Sequence, residues 1–329
     1  MDRIKDLYNI DIKENLIKNL DDGLLSILLK DRSSGKNIIW ATDTYVGHGV
    51  GFGSQDHITQ AQITGKRGCI IKPRTEKSKR EQQQRIKNKA EVFTPSWVCN
   101  CQNNLVDNAW FGRENVFNTE VEKGWTKNTD KVVFPEGKTW QDYVKENRME
   151  ITCGEAPYLT SRYDTVTGEY IETANRIGLL DRKLRVISEN VDGEQEWVEW
   201  VYTAYKATYG FDYQGDNVLI ARENLLFAFI EAYIDKFEVP PITPYLLEIA
   251  KILSWNIWQM DGLKFVIPGS CKPYKSLQVS MFDEENEQAH ICEGCAKNNP
   301  HKHNGIYCKV MNWETRKAEL FIEKLREKD

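Results

Sequence analysis

The chain has 329 residues, 40% hydrophobic and 11% aromatic, with a formal net charge of −5. That length suits one large domain or two smaller ones, ten tryptophans argue against disorder, and no apolar run reaches membrane-spanning length. The charged start Met-Asp-Arg-Ile-Lys-Asp carries no apolar stretch of a signal peptide, so a cytoplasmic location is expected, and the acidic total does not announce a nucleic-acid binder, although the distribution of charge matters more than its sum.

Residues 1–30 place Ile4, Leu7, Tyr8, Leu16, Leu20, Leu24, Leu25, Leu28 and Leu29 at helical spacing. Residues 36–41 read as a strand. The glycine-dense run 47–53 could cradle a phosphate, but it lacks the Lys-Ser/Thr ending of a P-loop and reads as a flexible loop. Residues 58–71 suggest a short hairpin turning at Thr64-Gly65. Residues 72–89 are the most basic stretch, with eight Lys/Arg against Glu76 and Glu81, and predict a helix after Pro73 that is polar nearly all round. Two readings stand for it: a helix contacting nucleic-acid phosphate through Arg80, Arg85, Lys87 and Lys89, or a solvated linker. Phe93-Thr94-Pro95 ends an extended segment. A helix starts near Ser96 with Trp97, Val98, Cys101, Leu105 and Val106 on one side, and residues 111–144 read as a loop-rich surface insertion.

Residues 150–159 read as a strand end running into a tight turn at Gly154. Glycine serves where a ligand approaches the backbone, and the carboxyl ends of strands are where open α/β sheets bind ligands. A basic helical piece follows over 179–187, then an aromatic amphipathic helix over 194–208. A strand ends at Asp212, and a helix begins near Asp216 or Asn217, either of which can cap it, with Val218, Ala221, Leu225 and Phe229 on its apolar face. An acidic residue at such a strand end accepts hydrogen bonds from ribose hydroxyls in nucleotide-type folds. Residues 240–254 start another helix, and 256–264 read as a strand ending at an Asp261-Gly262 turn.

These stretches resemble the motifs of S-adenosylmethionine (SAM) dependent adenine-specific DNA methyltransferases of restriction-modification systems, over about residues 85–265. That family's glycine motif is usually Asp-Pro-Ala-Cys-Gly-Ser-Gly-Ala-Phe-Leu. Here Cys153, Gly154 and Leu159 are kept, Glu150 replaces Asp, Ala156 the second Gly and Tyr158 the Phe. Gly210-Phe211-Asp212 with Ala221-Arg222-Glu223-Asn224-Leu225 is similar to the second motif, and Phe93-Thr94-Pro95 to the segment that precedes the glycine motif. The resemblance implies that Phe93, Thr94 and Pro95 pack on the methionine end of SAM and that Glu150, Cys153 and Gly154 shape the turn beneath it. It also implies that Asp212 holds the ribose, that Asp261 bonds the adenine amino group, and that Thr152, Glu155, Tyr158 and Tyr213 complete the cofactor site. Glu155 and Ala156 stand where Ser and Gly are usual, so a tighter and more acidic pocket is expected.

The family's catalytic Asn/Asp-Pro-Pro-Tyr/Phe is not found. Its nearest echo, Cys271-Lys272-Pro273-Tyr274, puts a weak acceptor where a strong one is needed. Only 68 residues follow Asp261, against the roughly 80 to 100 that four more strands and their helices take. Much of that tail has its own chemistry. Cys292-x-x-Cys295 has zinc-knuckle spacing, and Cys271 and Cys308 complete a structural set, for which His290, His301 or His303 can substitute.

The expectation is an α/β protein: a Rossmann-like SAM-binding methyltransferase core over residues 91–268, incomplete as far as the sequence goes. An N-terminal accessory region over 1–90 precedes it and a zinc-binding tail over 269–329 follows. The function expected by resemblance is a DNA methyltransferase, or a methyltransferase subunit of a restriction-modification or phage-defence system, acting on double-stranded DNA with a partner methyltransferase, specificity or endonuclease subunit. The alternatives are a SAM-binding subunit inactive without its partner and a zinc-containing nucleic-acid-binding or nuclease component.

Overall fold

The structure, a computed structural model, describes residues 14–89, 91, 93–277 and 287–325, with the side chains of 88, 89, 274–277 and 287–290 left aside. Ile4, Leu7 and Tyr8 lie outside it. Two short helices open the described chain, α1 (Glu14–Leu20) and α2 (Asp22–Leu28). Residues 36–41 are extended but join their neighbours by isolated bridges, Lys30 to Asn37 and Ile39 to His57, rather than a ladder. No hairpin forms over 58–71. Gln62 caps a short helix α3 (Gln60–Ile63) by accepting from Thr59 N at 2.8 Å, and a 3-10 turn follows. The basic stretch makes a 3-10 turn over Arg74–Glu76 and is α-helical only as α4 (Lys79–Lys89).

Helix α5 (Ser96–Phe111) starts where expected, at Pro95, but turns the other way round. Asn100, Asn103, Asn104 and Asp107 are buried, while Trp97, Leu105 and Val106 face solvent, Leu105 at 69% exposure. The reason is a buried cation. Arg182 donates to Asp107 Oδ2 at 2.7 Å, to Asn104 Oδ1 at 2.7 Å and to Asn100 Oδ1 at 3.0 Å, and a buried guanidinium must be matched by acceptors. Residues 111–144 are likewise more than a surface insertion. They form the hairpin β1 (Asn118–Val121) and β2 (Gly124–Lys127) and helix α6 (Trp140–Lys145), and Phe111, Phe117, Val132, Tyr143 and Val144 enter the main core.

The centre is a parallel sheet in the order β3 (Arg148–Ile151), β4 (Thr208–Asp212), β5 (Ile257–Gln259), with Glu150 opposite Gly210 and Phe211 opposite Trp258. Parallel neighbours need long crossovers. Helices α7 (Leu179–Asn190) and α8 (Glu194–Lys206) supply the first, and α9 (Gly215–Phe237) and α10 (Thr243–Asn256) the second. One sheet face packs on these helices, and Leu24, Leu25, Leu28 and Trp40 share that core, so the N-terminal region is not a separate body of packing. The other face carries Phe211 and Trp258 against Cys308, Val310 and Phe321. The tail forms two hairpins, β6 (Tyr274–Leu277) with β7 (Glu287–His290) and β8 (Lys309–Asn312) with β9 (Lys317–Leu320), and the short helix α11 (Glu293–Lys297) between them. The fold is thus mixed α/β around a three-stranded parallel sheet, and no helix among the described residues is long and apolar enough to cross a membrane.

Arg222 on α9 ties these parts together. Its guanidinium is wholly buried and donates to four main-chain carbonyls: Leu28, Lys30 at 3.0 Å, Ser254 at 3.3 Å and Ile257 at 2.8 Å. Arg222→Met would leave these acceptors unpaired in the interior, at an expected loss of at least about 3 kcal/mol in urea denaturation. Arg222→Lys should recover only part of it, because an ammonium cannot span the same fork.

Candidate functional site

The carboxyl ends of the three strands bring Gly154, Asp212 and Asp261 to one side of the sheet. After β3 the chain makes a strained turn: Thr152, Gly154 and Ala156 take φ of +51°, +53° and +65°. Positive φ is unusual for a β-branched residue, and such strain persists only where the surroundings impose it. Here Cys153 N donates to Phe211 O at 2.8 Å, Leu159 N to Glu150 Oε2 at 3.2 Å, and Gly154 N to Asp212 Oδ2 at 3.0 Å. Thr152 is exposed, with its hydroxyl bonded to Ile151 O, and Cys153 is buried.

Asp212 is buried and its other oxygen accepts from Gln214 N at 2.9 Å. Burial pushes this carboxyl up to about 6, against the lowering effect of the two N–H donors. Burial also raises Glu150 well above the usual range. Phe93 closes the turn from above, its ring edge 3.7 Å from where a Cβ on Gly154 would stand, with the Arg74 guanidinium 5.1 Å from the ring centre. Thr94 O accepts from the Thr165 hydroxyl at 3.1 Å, and Pro95 precedes the first turn of α5. An open groove of about 1260 Å³ begins there, lined by Pro95, Trp97, Trp125 and Tyr170.

Other expected positions are differently employed. Glu155 does not make the crevice more acidic. It is buried, and its carboxylate accepts from Arg74 N at 2.6 Å and the Tyr163 hydroxyl at 2.7 Å. The Tyr158 hydroxyl donates to Gln102 at 2.5 Å. Tyr213 is half exposed beside the end of β4. Asp261 spends Oδ1 on Leu263 N and Lys264 N and pairs Oδ2 with Lys264 at 3.3 Å, so it closes its own turn.

Of the basic-helix residues, Arg80 and Lys87 are exposed and the Lys89 side chain lies outside the described residues. Arg85 is not available to phosphate. It is buried between Glu91, at 2.7 Å through two nitrogens, and Asp216, at 2.7 Å. Burial alone would raise Asp216, but Arg85 and Lys77 hold it well below the usual carboxylate range. Asp216 therefore does not cap α9, whose first residue is Gly215; it also accepts from the Tyr45 hydroxyl at 2.7 Å and fastens α4 and the N-terminal region to the mouth of α9. Glu91 gave no sequence signal. Asp216 did, as a polar residue at a helix start.

The tail holds a second constellation. The ligand atoms of Cys271, Cys292, Cys295 and His303 lie within 4.8 Å of one another, with His303 Nδ1 3.5, 3.6 and 3.6 Å from the three sulfurs. Ligands of a tetrahedral zinc, with bonds of about 2.3 Å to sulfur and 2.0–2.1 Å to nitrogen, stand about 3.6 Å apart. The cluster could therefore hold a metal ion, and its donor set is compatible with zinc. Cys308 is not in it. Its thiol is buried on the sheet, 3.4 Å from Gln259 O, and His303 takes the fourth position. His301 is exposed and outside the cluster, and the His290 side chain is not described. Gly294 is required here because a Cβ would stand 2.7 Å from both His303 N and Nδ1. Burial raises the Cys292 thiol, but the N–H groups of Asn304, Cys295 and Gly294 and the His303 ring outweigh it and bring it to about 6, favouring the thiolate that binds metal.

No protein-family model, curated protein or solved structure matches the chain. The tail geometry carries its own check. Metal analysis of the purified chain should find one ion per chain, unchanged in Cys308→Ala and lost in Cys292→Ser. His303→Ala should weaken retention against a chelator by at least about tenfold.

Proposed function

We propose that the chain is the SAM-binding component of a DNA amino-methyltransferase. One observation carries the reading: the hydrogen bond from Gly154 N to Asp212 Oδ2 at 3.0 Å joins the ends of two neighbouring parallel strands beneath the Phe93 ring. Open α/β sheets bind their ligands outside the carboxyl ends of the strands, and an acidic residue near such an end can accept from ribose hydroxyls, which supports the reading. SAM supplies an electrophilic methyl group on sulfur. The residues fit its holding as follows. Asp212 retains lone pairs for ribose hydroxyls, and Phe93 and Pro95 offer an apolar wall for the methionine chain. Asp261 fits less well, because its carboxylate is committed to its own turn.

A second reading, in which a partner chain supplies the acceptor-binding half, is favoured by the free edge of the sheet. Among the described strands β3 pairs only with β4, and Met149 and Ile151 on it are 41% and 68% exposed. Parallel sheets ordinarily have both faces covered, so the exposed Met149 and Ile151 mark a part of β3 that a partner could cover. The tail is proposed to carry structural zinc. A closed set of three sulfurs and one nitrogen leaves no position for a reacting water, which weighs against a nuclease that uses this metal.

Calorimetric titration with SAM tests the premise. Asp212→Ala should weaken binding by about tenfold or more, the loss of a buried acceptor for two hydroxyls. Because hydroxyl donors favour the ionised carboxylate, wild-type affinity should rise as pH increases through about 6. Stability runs oppositely. A carboxyl raised to about 6 stabilises the fold fully below its unfolded value, and that contribution is lost as pH rises from about 4 to 6. Absence of SAM binding at high protein concentration would sink both methyltransferase readings. Methyl transfer to DNA by the single chain would remove the partner-dependent one.

A further inference from the structure

We propose that a cleft between the N-terminal region and the loops beside the Cys/His cluster binds a phosphate-bearing ligand through Lys36 and Lys272. The cleft measures about 490 Å³, within the range of small-molecule sites. It shares no residue with the Gly154–Asp212 crevice and does not rest on the SAM reading.

Its walls come from opposite ends of the chain. Ile39, Ile267, Pro268 and Ile306 make an apolar side. Lys36 and Lys272 are exposed at the lining, and neither forms an ion pair among the described residues. Their backbone positions are fixed. Lys272 N donates to Asn304 Oδ1 at 3.1 Å, and Asn304 Nδ2 returns a bond to Lys272 O at 2.7 Å. Lys36 N donates to the Ser34 hydroxyl at 3.2 Å.

The acidic residue in the lining, Asp31, offers little opposition. It is buried, and its carboxylate accepts from Ser34 N at 2.7 Å, from Ser33 N at 3.4 Å and from the Ser34 hydroxyl. His57 turns Nδ1 to Asn37 O at 2.7 Å, so that nitrogen is the donor and Nε2 is the ring atom left for a ligand. The Gln55 amide lies along Gly269, 2.3 Å from where a Cβ would stand. Two ammonium groups with no ion pair among the described residues, beside an apolar wall, suit an organic body carrying a phosphate, which lysine recognises as a point charge. That phosphate can belong to a free nucleotide or to a nucleic-acid backbone.

The test uses the full chain with two probes: AMP by calorimetry, and a short fluorescein-labelled DNA duplex by anisotropy over a salt series. Lys36→Glu/Lys272→Glu should weaken whichever probe binds by about tenfold or more, and lower the salt slope for DNA by about 2. Arg80→Glu/Lys87→Glu on α4 should leave that binding within about twofold, since these residues lie outside the cleft. Binding of AMP alone identifies the free nucleotide as the source, and a salt-dependent duplex complex identifies the nucleic-acid backbone; either supports the site. Near-UV circular dichroism checks the fold, and Lys36→Gln/Lys272→Gln serves if charge reversal disturbs it. The proposal is overturned if neither probe binds, if the lysine variants bind like wild type, if the α4 variant loses as much, or if AMP binding is lost with Asp212→Ala alone.

Discussion

The guanidinium of Arg222 is the fixed point from which the other relations follow. It lies in the middle of α9, wholly enclosed, and meets carbonyls from the end of α2, the end of α10 and the start of β5. The last carbonyls of a helix have no partner within it and carry partial negative charge. One arginine thus finishes two helices at once. Burial pulls it down to about 9 against the raising effect of Asp31, yet it retains its charge at neutral pH, with the carbonyl dipoles directly on the guanidinium. Because α9 begins directly after β4, fixing its middle against β5 also fixes where Asp212 stands relative to the neighbouring strand end.

The same helix organises a polar interior. Near its start Asp216 holds Arg85; near its end Glu231 receives Arg162 at 2.6 Å and Arg176 at 2.6 Å. Beyond it, Asp107 and the α5 amides hold Arg182. Each network is fully buried, and each joins segments remote in sequence. Replacing such ions with packed hydrophobic residues can stabilise a protein, so their value here lies in alignment: a guanidinium accepts its partners in few geometries, and a slipped helix would leave a charge unmatched.

This explains what could be read in advance. The start of α5 at Ser96, the turn at Gly154 and the strand end at Asp212 depend on proline, glycine and aspartate acting on their immediate neighbours, and sequence order suffices for those. The orientation of α5 was not legible, because an asparagine-rich face looks solvent-facing until Arg182, some 80 residues later, is seen to bury it. Arg85 looked like a surface cation for the same reason; its carboxylate Asp216 lies 131 residues away. In the tail the Cys292-x-x-Cys295 knuckle was readable from spacing, whereas the fourth donor was chosen by residue type. Cys308 is as good a ligand as His303 in chemistry, but β8 carries it into the apolar layer over Phe211 and Trp258. The three strand ends were readable one by one, but their order in the sheet and the edge position of β3 were not.

The Cys/His cluster also has a bearing on supply. Cys271 and His303 are direct neighbours of Lys272 and Asn304, so the loops that wall the cleft carry the same four side chains that could hold a metal ion. An ion that binds the folded arrangement and not the open one stabilises it in proportion to the logarithm of its free concentration. With such an ion bound, one wall of that cleft would be subject to mass action and answer to the metal content of the surroundings, while the wall built from residues 31–57 stays with the main core.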